Sequence, residues 1–209
     1  MTIATDGLKF VLPSLALAVV FWAVGWGPAG LFFLLLAAAF AFFFRDPRRT
    51  PPEGEHLIVS PADGKVLAIE ALPSHPELAG PAQKVTIFLS LLDVHLVRSP
   101  LAATVAKVDY RPGKFLPAYK PEAGEVNESN TLVLKGERLS LVIKESVGVA
   151  ARRIKSFVKA GQAVSRGEKV GLMYFGSRVE ITLPREVVLR VSLGQKVRAG
   201  ESVIAEATP

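Results

Sequence analysis

Cysteine is absent from the 209-residue chain, and histidine occurs three times. The lack of cysteine excludes a disulfide framework, a thiolate metal site and a cysteine nucleophile. The histidines, His56, His75 and His95, form neither an i, i+4 pair nor the HExxH pattern of a zinc site. The sequence therefore predicts no metal centre.

Charge is missing from Phe10 to Phe44, and before Arg45 the only charges are Asp6 and Lys9, which cancel. An apolar stretch of this length, interrupted by one glycine-rich connector, predicts two short membrane helices joined as a transmembrane hairpin. A shallow re-entrant hairpin stays open because both arms are short. A cleaved signal peptide is disfavoured, because neither an early basic region nor a small-residue cleavage site is present.

The two predicted spans run from about Lys9 to Trp26 and from about Leu31 to Phe44. An arginine-rich stretch, 45–49, follows the second span directly, whereas the WGPAG connector is uncharged. Because Lys and Arg concentrate on the cytoplasmic side of membrane helices, both ends of the hairpin are expected there. We predict a membrane-anchoring unit, 1–49, in the cell membrane, and a second domain, 50–209, on its cytoplasmic side.

The formal net charge of +6 lies entirely beyond residue 44. A basic domain beside an apolar anchor indicates contact with an anionic phospholipid membrane. Nucleic acid is not expected as a partner, because no basic run is interleaved with aromatic residues.

Long helical periodicity is absent after Phe44, and short β-type runs replace it. The predicted strands are 57–60 and 65–69 around a tight turn, then 84–90, 105–110, 131–134 and 139–143. Domain 50–209 is therefore predicted to be mainly β. Exposed strand edges leave a homodimer as an open alternative.

An internal repeat marks the C-terminal part. Seven residues of 158–170 recur 33 positions later in 191–203, each copy with two turn glycines. We expect the copies to pack as two halves of a barrel or sandwich. The pattern also resembles half of a biotinyl or lipoyl carrier domain, so a non-enzymatic carrier-like or adaptor module is an alternative. The spots between the turn glycines hold Ser165-Arg166 and Arg198-Ala199, without a lysine in the flanking pattern that such a carrier needs.

The pair Gly176-Ser177 interrupts a strand-like run in the segment Met173 to Pro184. A glycine permits close approach to its carbonyl, and the serine hydroxyl is a nucleophile that a base can activate. Taken alone, the pair is more often a simple turn. His95, which ends an apolar β run, is either a general base or a structural histidine. Ser177, His95 and Asp63 are the residue types of a triad, although no G-x-S-x-G elbow is present.

Six motifs occur together and in order: RDPRRTPP, VSPADGKV, FLSLLDVHLVRSP, NESN, ARRI and YFGSRVEITLP. They resemble the short form of the phosphatidylserine decarboxylase family over nearly all of Arg45 to Leu183. The resemblance implies a proenzyme that cuts itself between Gly176 and Ser177 and converts the serine into a pyruvoyl group. That group would form a Schiff base with the aminophospholipid substrate and needs no metal or external cofactor. The implied reaction is decarboxylation of phosphatidylserine to phosphatidylethanolamine in phospholipid biosynthesis, by two chains that stay associated.

The resemblance also implies roles for individual residues. Asp63 and His95 would form the relay that activates the serine. Longer bacterial forms carry a second histidine where this chain has Arg98, so the identity of the maturation base stays open. Arg152 or Arg153 would bind the headgroup phosphate, with a solvated strand end as the alternative. Diacyl and ether-linked archaeal-type lipids are both compatible with these motifs.

Overall fold

The computed structural model describes residues 2–120, 122–148, 153–174 and 177–207, with Ser177 described by its backbone alone. The chain divides into two compact units, 1–48 and 49–209. Each unit is built from a different class of secondary structure.

The first unit is a pair of apolar helices, α1 (Thr5–Ala23) and α2 (Gly27–Phe43). Two short strands, β1 (Thr2–Ile3) and β2 (Arg45–Asp46), pair antiparallel and bring its ends together. Aromatic contacts join the helices along their length, with ring centroids 5.2 Å apart for Phe10–Phe40 and 5.3 Å apart for Phe21–Phe33. The helices therefore form a hairpin.

The two helices differ in their capacity to cross a bilayer. Within the described residues, α1 alone has the length and hydropathy of a membrane span, with 19 residues. Helix α2 is also apolar but has 17 residues. Length and composition thus single out α1 as the candidate span.

The second unit is mainly β, as predicted. Its one described helix is the short α3 (Ala123–Val126). Its strands are β3 (Leu57–Val59), β4 (Gly64–Leu72), β5 (Ala82–Leu89), β6 (Leu96–Arg98), β7 (Ala103–Arg111), β8 (Ser129–Lys135), β9 (Ser140–Val147), β10 (Ile154–Ser156), β11 (Ala163–Val164), β12 (Lys169–Met173), β13 (Ser177–Pro184), β14 (Val188–Leu189), β15 (Lys196–Val197) and β16 (Val203–Glu206).

Eight strands form one sheet in the order β11-β7-β8-β9-β13-β5-β4-β15, curled into a half-barrel. Two smaller sheets, β10-β12-β6 and β14-β16-β3, complete the unit. Every paired strand is antiparallel to its neighbour. Val179, Ile181 and Leu183 alternate along β13 and are fully buried in the common apolar core. The period of two in the sequence therefore corresponds to one core-facing side of the central strand.

The predicted packing of two repeat copies as halves of a barrel is not confirmed. The turn glycines of the two segments do share a left-handed backbone, with φ of 86° at Gly161 and 83° at Gly194. The strands that follow them pair elsewhere, however: β11 with β7, and β15 with β4. Similar local turns therefore do not produce a repeated pairing pattern.

The first two strands of the unit, which the sequence predicts on either side of a tight turn, do not pair with each other. The sequence correctly predicts β3 and β4 as strands on either side of residues 60–63. In the fold, β3 pairs with β16, whereas β4 pairs with β5 and β15. The intervening turn thus carries the chain from one sheet to another.

Candidate active site

Ser177 is the first residue of β13, at the centre of the large sheet. Its backbone pairs with Leu89 of β5 on one side and with Val147 of β9 on the other. The alternating sequence after the serine forms an eight-residue strand, so position 177 is where the strand begins. Gly176, the other half of the predicted cleavage pair, lies outside the described residues.

The chain that leads to this position is held from two sides. The N–H of Met173 donates to the carbonyl oxygen of His95 at 3.1 Å. The N–H of Tyr174 donates to the carbonyl oxygen of Arg153 at 3.2 Å. The last residues described before Ser177 are therefore fastened both to β6, through His95, and to the start of β10, through Arg153.

His95 is almost completely buried, with 1% of its surface exposed. Its Nδ1 lies 3.0 Å from the main-chain oxygen of Asp93. A carbonyl oxygen can only accept, so Nδ1 carries the proton and donates it to this bond. In the neutral ring the lone pair is then on Nε2, which makes Nε2 the basic atom.

The turn that leads into His95 is closed by its own side chains. Oδ2 of Asp93 accepts hydrogen bonds from the backbone N–H and the hydroxyl of Ser90, at 2.8 and 2.6 Å. The N–H of Asp93 also donates to the Ser90 carbonyl at 2.9 Å. Three bonds across four residues fix the carbonyl that orients the His95 ring.

Asp63 is buried and hydrogen bonded through both carboxylate oxygens. Oδ2 accepts from Nη2 of Arg49 at 2.7 Å, and Oδ1 accepts from the backbone N–H of Ala199 at 2.7 Å. Burial raises the pKa of Asp63, while the Ala199 N–H and the Arg49 guanidinium oppose that rise. Arg49 also donates to Glu201 at 2.9 Å, which ties the start of the unit to its C-terminal part.

Asp63 lies on a segment that runs beside the His95 strand. The N–H of Val59 donates to the Pro100 carbonyl at 3.0 Å, and the N–H of Arg98 donates to the Pro61 carbonyl at 2.8 Å. These two bonds give the segments an antiparallel course, which leads from Pro61 towards the His95 end of β6. The negative charge of Asp93 raises the pKa of Asp63 as well, in keeping with this position.

Arg98, which stands where the longer forms have a second histidine, is 8% exposed. Its Nη1 donates to the carbonyl of Gly167 at 2.9 Å. That bond holds the turn before β12, the strand that leads to the serine.

Of the two arginines predicted to bind phosphate, the structure describes one. Arg152 lies outside the described residues. Arg153 is exposed at the start of β10, and its carbonyl holds Tyr174 as described above. Its guanidinium is thus accessible from solvent, close to the segment that leads to Ser177.

Glu145 is a buried acid that the sequence reasoning missed. It has 0% exposure and pairs across the ladder with Val179, two residues beyond Ser177. Nδ2 of Asn130 donates to its Oε2 at 2.9 Å, while Oε1 has no hydrogen-bond partner among the described residues. Burial raises the pKa of Glu145 to about 7, and the Asn130 hydrogen bond opposes the rise. A carboxylate inside the β-type segment LVIKESV was the sequence feature that could have pointed to it.

Asn127 is a second residue whose role the sequence did not reveal. Its Nδ2 donates to the carbonyls of Val147 and Leu116, at 2.7 and 2.8 Å, and its Oδ1 accepts from the Leu116 N–H at 2.8 Å. Since Val147 pairs with Ser177, the NESN motif supports the strand beside the predicted cleavage site.

No cluster of three metal-ligating side chains occurs in the part of the chain that the structure describes. The three predicted catalytic positions are a serine at a strand start, a buried histidine with a defined tautomer and a buried aspartate in an ionic network.

Comparison with known proteins identifies the family. Residues 36–205 match the family described as phosphatidylserine decarboxylase. A relative from Carboxydothermus hydrogenoformans named phosphatidylserine decarboxylase proenzyme is 45% identical, over 93% of this chain and 89% of its own. Proteins of the same name from Syntrophus aciditrophicus and Geotalea daltonii are 40% and 37% identical, over 96% and 99% of this chain and 95% and 97% of their own. This chain belongs to the phosphatidylserine decarboxylase family.

Proposed function

We propose that this chain decarboxylates phosphatidylserine to phosphatidylethanolamine, using a pyruvoyl group made from its own Ser177 by self-cleavage after Gly176. The observation that carries the proposal is the position of Ser177 at the start of β13. The segment before it is hydrogen bonded to the main chain of buried His95. Its relatives are named proenzymes of this activity, which supports both the reaction and a cleavage step. That naming leaves the carrier-like alternative without support.

Self-cleavage begins with attack of the Ser177 hydroxyl on the Gly176 carbonyl. The peptide bond is exchanged for an ester, and the serine nitrogen becomes a free amine. Loss of the Cα proton then expels the Gly176 carboxylate, which breaks the ester and leaves a dehydroalanine. Its tautomer takes up water and releases ammonia, and the ketone of the pyruvoyl group remains. Water is the only co-reactant.

His95 is the proposed base for the hydroxyl proton. Its Nδ1–H is committed to the Asp93 carbonyl, so Nε2 is the nitrogen that can accept a proton. The closed turn 90–93 prevents the ring from exchanging the roles of its two nitrogens without losing that bond. Arg98, in contrast, holds the turn at Gly167 and serves the fold.

Asp63 is proposed to stabilise the charged form of His95. Its negative charge, carried on a segment running towards the histidine, favours an imidazolium over a neutral ring. Burial raises the pKa of this carboxyl, and Arg49 and the Ala199 N–H limit the rise by favouring its ionised form. Their two bonds also fix the carboxylate in place.

The strand pairing fits a pyruvoyl group at position 177. Cleavage would create a 176-residue chain and a 33-residue chain that starts with β13. The short chain would keep the pairs of β13 with β5 and β9, of β15 with β4 and of β16 with β3. Hydrogen bonds to β5 on one side and β9 on the other would thus hold the new N-terminus at position 177. When formed, the group supplies a conjugated carbonyl that accepts the electrons left by the departing carboxylate.

Other residues are proposed to handle the substrate. Arg153, exposed beside Tyr174, or its neighbour Arg152 binds the headgroup phosphate, which suits the N–H fork of a guanidinium. His95 delivers the proton that the substrate α-carbon needs after carbon dioxide leaves. The arginine-rich stretch 45–49 supports a location of the reaction at the cytoplasmic, anionic face of the cell membrane.

Denaturing electrophoresis and intact mass of the purified protein test the proposal. We expect two chains, with the 33-residue chain lighter than its sequence mass by one ammonia and labelled by a carbonyl reagent. Ser177→Ala should remain a single 22.4 kDa chain. Ser192→Ala, in an exposed turn, is the matched control and should be cut normally. An uncut, carbonyl-free wild-type chain would overturn the proposal.

A further inference from the structure

Leu91 and Leu92 are the two apolar residues at the tip of the turn before His95. Their exposed fractions are 54% and 71%, although they are large and apolar. The Ser90–Asp93 hydrogen bonds that close this turn hold both leucines in place. A rigid turn therefore presents a pair of leucines outward.

The position of this turn relates it to the candidate site. Leu89, directly before it, pairs with Ser177, and His95 follows two residues after Asp93. The leucine pair thus belongs to the same end of β13 as the predicted cleavage point. Anything bound by these leucines would lie at the same end of β13 as Ser177.

Two cations lie on the other flank of the segment that leads to Ser177. Arg153 and Lys155 are exposed at β10, which pairs with β12. The Nζ of Lys155 lies 5.5 Å from the centre of the Phe157 ring, whose exposure is 37%. An apolar tip and an exposed basic strand therefore flank the same segment.

We propose that the turn 90–93 inserts Leu91 and Leu92 into the interface of an anionic bilayer, with Arg153 and Lys155 at the headgroups. This inference rests on the proposed function, because a two-chain phospholipid must bring its headgroup to position 177 while its hydrocarbon chains stay in the bilayer. Apolar side chains combined with cations are the usual composition of an interfacial anchor. The turn is thus a membrane contact of the second unit itself, additional to the N-terminal helices.

Insertion is tested by depth-dependent quenching. Because the chain lacks cysteine, Leu92→Cys provides a unique site for a fluorophore in the full-length protein. Val188→Cys is the control, because Val188 is 47% exposed and lies beyond the far end of β13. That end of the strand is roughly 23 Å from Ser177, at about 3.3 Å per residue. In nanodiscs of phosphatidylserine and brominated phosphatidylcholine, we expect the bromine to quench the label at 92 several-fold more than the label at 188. Equal quenching would overturn the proposal.

Activity supplies an independent test. The double variant Leu91→Glu/Leu92→Glu should lose about tenfold or more in kcat/KM on vesicle-borne phosphatidylserine, because charged side chains replace an apolar anchor. On short-chain phosphatidylserine dissolved below its micelle concentration, the double variant should have the kcat/KM of wild type. The control Val188→Glu should have the kcat/KM of wild type on vesicle-borne and on dissolved substrate. Equal losses of the double variant on both substrates would refute docking. The quenching test requires no turnover, so failure of the proposed function and failure of this inference are distinguishable.

Discussion

The carbonyl oxygen of His95 accepts the N–H of Met173 at 3.1 Å, four residues before Ser177. The same histidine has its ring oriented by the Asp93 carbonyl through Nδ1 at 3.0 Å. One residue therefore holds the segment leading to the predicted cleavage point and carries a basic nitrogen whose tautomer is set. The position of the proposed base is thus linked to the position of that segment.

Replacing His95 should stop maturation. We expect His95→Ala to slow self-cleavage by about 100-fold or more, the range that a positioned general base contributes. The time course of chain cleavage after cell-free synthesis into nanodiscs measures the rate. His75→Ala, in the 73–80 loop, should be processed like wild type. Cleavage of His95→Ala at the wild-type rate would remove the histidine from the mechanism.

Breaking the Arg49–Asp63 pair should destabilise the second unit. In Arg49→Met, Asp63 stays buried without its cation, and loss of one partner of a buried pair costs about 3–5 kcal/mol. Arg190→Met breaks the exposed Arg190–Glu206 pair, which solvent screens, and should cost much less stability. Urea unfolding in detergent measures the change in the free energy of unfolding for both variants. Similar losses in the two variants would show that the buried pair contributes no more than a surface pair.

Glu145 should make stability depend on pH. The ordinary carboxyl pKa of 4.5 is raised to about 7 in the folded state, so the unfolded chain loses this proton first as pH rises. The native state is therefore destabilised progressively between about pH 4.5 and 7, by on the order of 3 kcal/mol above that window. Glu145→Gln, which keeps an acceptor for Asn130, should raise stability at pH 8 and have little effect at pH 4.

The measurement for Glu145 is the unfolding free energy of each variant across this pH range. Glu137→Gln, at an exposed position, is the matched control and should follow the wild-type curve. A Glu145→Gln curve parallel to wild type from pH 4 to 8 would contradict the prediction.

Gly171 and Glu145 should behave as a coupled pair. A Cβ on Gly171 would collide with Oε1 of the buried carboxylate. Gly171→Ala should therefore cost about 1–3 kcal/mol, as overpacking of a core does. Adding Glu145→Ala removes the obstacle, so the double variant should be more stable than the sum of the single effects predicts. Unfolding free energies of all four proteins give the coupling, and strict additivity would contradict it.

Much of the strand pattern could be predicted from local sequence, because a strand with one buried face alternates with a period of two. The segment 179–183 shows this alternation, and Val179, Ile181 and Leu183 are buried. Pairing was harder to predict, as β3 and β4 join different sheets despite the tight turn between them. The repeated glycine turns likewise reproduced a backbone conformation without a repeated arrangement of strands.

The sequence by itself determined the apolar N-terminal stretch, the mainly β second unit and the motifs that resemble the family, since each depends on residues close together in the chain. Only the tertiary structure decided what surrounds the candidate residues. The N–H bound to Asp63 belongs to a residue 136 positions away, and the N–H bound to the His95 carbonyl belongs to Met173, on the distant strand β12. Burial raises the pKa of Glu145 to about 7, and that burial requires β13, a strand distant in sequence, to pair beside β9. Such contacts depend on how the chain closes over long separations, which local residue patterns do not encode.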